Sequence, residues 1–378
     1  MVLQQSLVST TLWSLSAIGL PRLLSSRFSG AGGILAFHRI YQPQPHEFGS
    51  LRISVTPCNF RRVVQTLKER GYRFLSMSGL ADWLINGESS GGKVICLTFD
   101  DGFADTYTSA FPVCREFGVP MTVYLVSGFI QRQFPMWSFG LETAIAKNDR
   151  LTIRLADEPL TLNCRTMREK AAAFRSLASR LVVAAPDDVR EVCQSIGSRY
   201  QVDFMTPTNR NVLTVSMIRE MRDSGLVDFG AHSVHHVRLG SLEHEVALWE
   251  IEQSKRDCEE LVDSEVRHFA YPYGDAAAAG PREVAMCAQL GFRTAVTTEC
   301  NTLFGTDARR LLNLPRLTYS GSFQDTPLLD LLLSGTLPKL RRHWQAFRPL
   351  ACASASMASA KPAYPDFGHR RRPHQRTR

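Results

Sequence analysis

The chain has 378 residues, 44% hydrophobic and 21% charged, enough apolar material to bury the core of one large domain or two ordinary ones. Its formal net charge is +8, but Ala351 to Arg378 set six basic residues against Asp366 alone, so +5 of that charge sits in the tail. The remaining chain is close to ordinary balance and gives no reason to expect a nucleic-acid face. Nine scattered cysteines with no CxxC pair argue for reduced, unpaired thiols, against a disulfide framework or a zinc finger.

The first 21 residues carry no charged side chain, and Arg22 and Arg27 follow the apolar part. A secretory signal places its basic residues first, and interspersed Gln, Ser and Thr weaken a spanning helix. We expect residues 1–30 to form an amphipathic segment that lies on the domain or a membrane surface, and a cytoplasmic placement. Short apolar or β-branched runs then recur, separated by helical patterns: Ile34 to Phe37, Tyr72 to Ser76, Val94 to Thr98, Thr122 to Val126, Val227 to Gly230, Arg267 to Tyr271, Thr294 to Thr297, and Leu312 to Leu317, which Pro315 interrupts. Glycine stops end the helical patterns NFRRVVQTLKERG and SMIREMRDSGL. This alternation predicts an α/β fold with a parallel sheet, and seven or eight such units suggest a barrel. Residues 130–212 break the rhythm and read as a helical insertion into a barrel spanning 31–320. Residues 321–350 read as a helical extension, and 351–378 as a disordered basic tail that could touch phosphates or an anionic membrane surface.

Four groups of polar residues fall at the ends of expected strands, which a parallel barrel gathers on one rim. LTFDDG places Asp100 and Asp101 side by side after an apolar strand, and two like charges so close call for an offsetting cation. GAHSVHHVRL offers His232, His235 and His236; the i, i+4 spacing permits His232 and His236 to converge, although a histidine-rich surface turn would read the same. FAYPYGD forms a rigid loop whose backbone N–H groups suit an oxyanion, or is simply a turn. His38 ends the first strand, where a lone histidine is usually structural. One carboxylate and two imidazoles make a three-ligand site with open positions, the way catalytic zinc is held, and leave the neighbouring carboxylate free as a base toward water.

Together these motifs resemble the polysaccharide deacetylase family, the NodB-homology domain of carbohydrate esterase family four, including its chitooligosaccharide deacetylases. TFDDG at 98–102, HSVHH at 232–236 and FAYPYG at 269–274 are similar to that family's first three motifs, in order. The resemblance implies a distorted (β/α) barrel of seven or eight units that hydrolyses an acetamide on a sugar. It implies Asp100 as general base, Asp101, His232 and His236 as metal ligands, and the Tyr273 N–H as oxyanion donor. Two departures follow. The arginine that often orients the base is absent from the third motif, where Arg316 could supply the charge. The late histidine that acts as general acid has no match after residue 300, and LAFHR at 35–39 resembles a permuted version that gives this role to His38. Zinc is the default metal, with cobalt, nickel and manganese open. N-acetylated glycans (a chitooligosaccharide, an exopolysaccharide or a lipid-linked glycan) are the expected partners. A small amide as substrate and a degenerate glycan-binding barrel are the alternatives. Trp137 would line a sugar site or pack the insertion.

Overall fold

The structure, a computed structural model, describes residues 30–42, 53–87, 92–155, 158–319 and 326–335. The expected N-terminal amphipathic segment and basic tail lie outside these residues. Among the described residues twelve strands occur in chain order: β1 (Gly32–Phe37), β2 (Arg39–Ile40), β3 (Ser54–Val55), β4 (Arg73–Phe74), β5 (Val94–Phe99), β6 (Met121–Leu125), β7 (Arg150–Leu155), β8 (Glu158–Asn163), β9 (Val227–Ala231), β10 (His268–Ala270), β11 (Thr294–Val296) and β12 (Leu317–Thr318). Eight of them make one parallel sheet in the order β11-β10-β9-β6-β5-β1-β12, with β4 also on β5. The sheet curls, and a parallel bridge from Val296 to Leu314 ties the β11 end to the chain entering β12. The barrel expected from the alternating runs is therefore present.

The strand runs are continuously apolar because both faces are covered. Outward residues Leu35, Phe37, Ile95, Leu97, Phe99, Val123 and Phe229 pack in the larger core under the surrounding helices. Inward residues Ile34, Val94, Cys96, Tyr124, Ala270 and Val296 form a second core with Leu80, Trp83 and Leu84 from the helix Met77–Asn86. That helix plugs the N-terminal end of the barrel: Met77 N–H donates to Thr122 Oγ1 (3.2 Å) and Ser78 N–H to Asp228 Oδ2 (3.1 Å). The helix Pro57–Glu69 shows why the outer layer forms. Thr56 caps it through Asn59 N–H, proline opens its first turn, and Phe60, Val63, Val64 and Leu67 fall on one buried face.

Period-2 alternation fixes what points inward. On β5 the inward series 94, 96, 98 continues to Asp100; on β1 the series 34, 36 continues to His38; on β9 it passes through Gly230 to His232. Gly230 has a steric reason: a Cβ there would stand 2.5 Å from Tyr124 Cδ1 and 2.7 Å from the His268 carbonyl oxygen. We expect Gly230→Ala to destabilise the barrel by about 1–3 kcal/mol, read as a lowered urea midpoint at unchanged m-value.

Two expectations are corrected. Leu312 to Leu317 is not a strand throughout: 3-10 turns span Gly305–Asn313, and β12 starts only at Leu317. Leu314 makes a single bridge to Val296, Pro315 has no N–H with which to extend it, and ladder pairing resumes on β1 at Leu317. The insertion between β6 and β9 holds helices Trp137–Lys147, Met167–Leu181, Pro186–Tyr200 and Met205–Asn211, but also the antiparallel hairpin β7–β8. RLTIRL alternates strictly, with Leu151 and Ile153 buried, so a period-2 signal was present inside a stretch read as helical. Trp137 rests against Phe174, ring centroids 6.5 Å apart, within this insertion. None of the eight described cysteines is in a disulfide. No described helix is long and apolar enough to cross a membrane.

Candidate active site

The four polar groups meet at the C-terminal rim. Asp101, His232 and His236 bring one ligand atom each to within 4.8 Å of one another. Asp101 Oδ1 stands 3.5 Å from His232 Nε2 and 3.2 Å from His236 Nε2. That oxygen is buried and has no hydrogen-bond partner. His232 Nδ1 lies 2.6 Å from the Ala270 carbonyl oxygen, to which it donates, so Nε2 is the nitrogen turned to Asp101 and left to serve a cation. An orphaned carboxylate oxygen and a tautomer fixed from behind fit a divalent cation bound among the three residues.

Backbone conformation separates residues that the sequence lists side by side. Seven non-glycine residues among those described have positive φ, and four are here: Asp101 (72°), Ser233 (61°), His236 (54°) and Tyr273 (63°). Such conformations are costly and cluster where a site demands them. The left-handed turn at Asp101, continued by Gly102, ends the alternation of β5, so Asp100 and Asp101 enter different surroundings. In the histidine loop no helical turn exists. Instead Ser233 and His236 adopt left-handed backbone, and His236 N–H donates to Ser233 Oγ at 2.9 Å. His235 leaves the cluster and pairs with Glu250 (2.6 Å).

Asp100 is held by Arg316, whose Nη1 and Nη2 each lie 2.7 Å from one of its carboxylate oxygens. Arg316 is 1% exposed, and its Nε donates to the Thr297 carbonyl (2.9 Å). This is a bidentate buried pair, the geometry that suits a guanidinium fork. Burial would raise the Asp100 carboxyl, but Arg316 together with His232 and His38 outweighs it and holds the group below the usual carboxylate range. Burial also opposes ionisation of Asp101, and His236 and His232 overcome it, so Asp101 is held well down. The His236 imidazole is pushed down to about 4, chiefly by burial, which leaves it neutral and able to donate a lone pair. For His232, burial lowers the imidazole while Asp101 and Asp100 more than offset it, and the net direction is up. Asp100 thus has its countercharge in Arg316, whereas Asp101 has only imidazoles.

His38 completes the rim, with Nε2 3.9 Å from Asp100 Oδ2 and its side chain 22% exposed. His236 retains 19%, so the pocket opens to solvent past these two rings. Tyr273 packs its ring 4.8 Å from His236 in the loop after β10. Arg238 joins the two loops by a bidentate pair with Asp275 (3.0 and 2.9 Å), and Arg39 beside His38 is bound to Asp105 (2.5 Å) and Asn211 (3.0 Å). These supports carry no local sequence signal, because each joins residues far apart in the chain.

Residues 87–295 match the family model described as polysaccharide deacetylase. His38 and Arg316 lie outside that span. Among solved structures, the Streptococcus pyogenes deacetylase PplD in complex with acetate gives a TM-score of 0.54 over 80% of this chain and 97% of its own, at 21% identity. IcaB from Ammonifex degensii gives 0.51 over 81% and 98%, at 15% identity. At these identities the likeness is one of fold. The protein YxkH of Bacillus subtilis (strain 168) is 28% identical over 67 residues, so the match spans 18% of this chain and about a quarter (24%) of that relative.

Proposed function

Because the chain belongs to the polysaccharide deacetylase family, we propose that it hydrolyses N-acetyl groups on an N-acetylglucosamine-type oligo- or polysaccharide, releasing acetate and leaving a free amine. One observation carries this reading: two adjacent carboxylates are given opposite environments, Asp101 with Oδ1 left without a hydrogen bond among imidazoles and Asp100 clamped by a guanidinium. A glycan-binding module has no use for that division.

Asp101, His232 and His236 would hold the divalent cation, with zinc first among the metals that accept one carboxylate and two imidazoles. When bound, the cation supplies Lewis acidity to the acetamide carbonyl and acidifies water. Asp100, kept ionised and oriented by Arg316, takes the proton from the attacking water. The Tyr273 backbone N–H donates to the oxyanion that develops as water adds to the carbonyl carbon. His38, near Asp100 and open to solvent, gives its proton to the departing nitrogen as the C–N bond breaks. Acetate, present with PplD, is the acid such a reaction releases.

The test is acetate release from N-acetylated chito-oligomers by the zinc-loaded full chain, with new amines counted in parallel. We expect release that a chelator abolishes and added zinc restores. Zinc binding without release would move the substrate away from chitin-type fragments. Neither binding nor release would favour the degenerate binding module.

A further inference from the structure

The loop that carries His236 is gripped from behind by a residue outside the proposed chemistry. Glu250, on the helix His244–Val262, is fully buried. Its Oε2 accepts the backbone N–H of Val234 (2.9 Å) and of His235 (3.1 Å), and its Oε1 lies 2.6 Å from His235 Nδ1, which donates to it. Both oxygens are therefore committed to one short segment of the histidine loop. The His235 ring is fixed in turn, edge-on to Phe134 (4.7 Å) and stacked with Trp249 (6.0 Å). The other buried positions of the same helix, Ala247, Ile251, Ser254, Asp257, Cys258 and Val262, offer it no countercharge. A buried carboxylate among them is unfavourable unless its bonds compensate, and here they all go to the loop.

The segment so held runs between two residues in left-handed backbone, Ser233 and His236. Such a loop keeps its shape only while its surroundings over-determine it. We propose that Glu250 is a positioning residue for the metal centre. By fixing Val234 and His235 it sets the loop pitch that puts His236 Nε2 3.2 Å from Asp101 Oδ1, and so governs metal affinity. The proposal rests on the reading that Asp101, His232 and His236 hold a cation.

The experiment measures Zn2+ affinity of the full chain by competition with a chromogenic chelator, for wild type, His236→Ala, Glu250→Ala and Glu250→Gln. Circular dichroism and cooperative unfolding report the fold. We expect Glu250→Ala to weaken zinc binding roughly 10–100-fold, the usual cost of removing an outer-shell support. Glu250→Gln should restore most of it: the amide oxygen can accept both backbone N–H groups while its NH2 faces His235 Nδ1, whose proton moves to Nε2. His236→Ala should lose high-affinity zinc. If Glu250→Ala is not recovered folded, Glu250→Asp replaces it, since it keeps the charge and falls one methylene short; a loss of about tenfold or more is expected. A folded Glu250→Ala or Glu250→Asp that binds zinc as tightly as wild type overturns the proposal, as does a Gln variant no better than Ala. Wild type and His236→Ala binding zinc equally weakly would instead overturn the metal-site reading beneath it.

Discussion

Asp100→Asn is expected to lower acetate release by roughly 10^2–10^4-fold while zinc binding is retained, the range general acid–base catalysis contributes. The substitution is nearly isosteric, and the amide oxygen still accepts from Arg316, but the side chain can no longer take a proton from water. Zinc binding should persist because Asp101, His232 and His236 do not depend on Asp100 for contact: the left-handed turn at Asp101 has already parted the two side chains. The measurement is a zinc titration and a single-turnover acetate assay on the same preparation. Near-wild-type turnover would remove Asp100 from the base role. Loss of zinc together with turnover would mean that the two carboxylates act as one ligand set.

Arg316→Met should be the more damaging change to the fold. It leaves the Asp100 carboxylate buried without its partner, and breaking a buried pair from one side typically costs about 3–5 kcal/mol. The pH dependence follows from the direction of the Asp100 shift. In the wild type its carboxyl is held below the ordinary range, so the pair's stabilisation is complete above the unfolded-state value and is lost as pH falls through the folded one. Without Arg316, burial dominates and raises the carboxyl. The ionised form is then the disfavoured one, and the destabilisation should grow as pH rises toward neutrality. Activity should respond in the same sense, with the acid limb of the rate profile moving to higher pH. Urea unfolding and pH–rate profiles of the two proteins check both parts. An unchanged acid limb with lowered stability would make Arg316 a structural partner only.

Much of the site was legible in the sequence because it is local. Asp100 and Asp101 follow an apolar run that could only be a buried strand, and an inward-facing period of two carries Asp100 into the barrel without further information. His232 reaches the same rim by the same rule on β9, and His38 on β1. That rule also brings four unrelated motifs at strand ends together, since parallel strands all end on one side.

What the tertiary structure alone decided is which of these groups pair. Three histidines within five residues carry no local mark that sorts the two that meet Asp101 from the one that leaves. The sorting is done by left-handed backbone at Ser233 and His236 and by Glu250, which reaches the loop from a helix and claims His235. The partner of Asp100 is 216 positions away, and the pairing exists only because β12 docks on β1 beside β5. A chain pattern records periodicity and end points, since these depend on neighbours in sequence. It does not record which distant charge a closing sheet will bring alongside, because that depends on strand order and register, and those are set by the whole barrel at once.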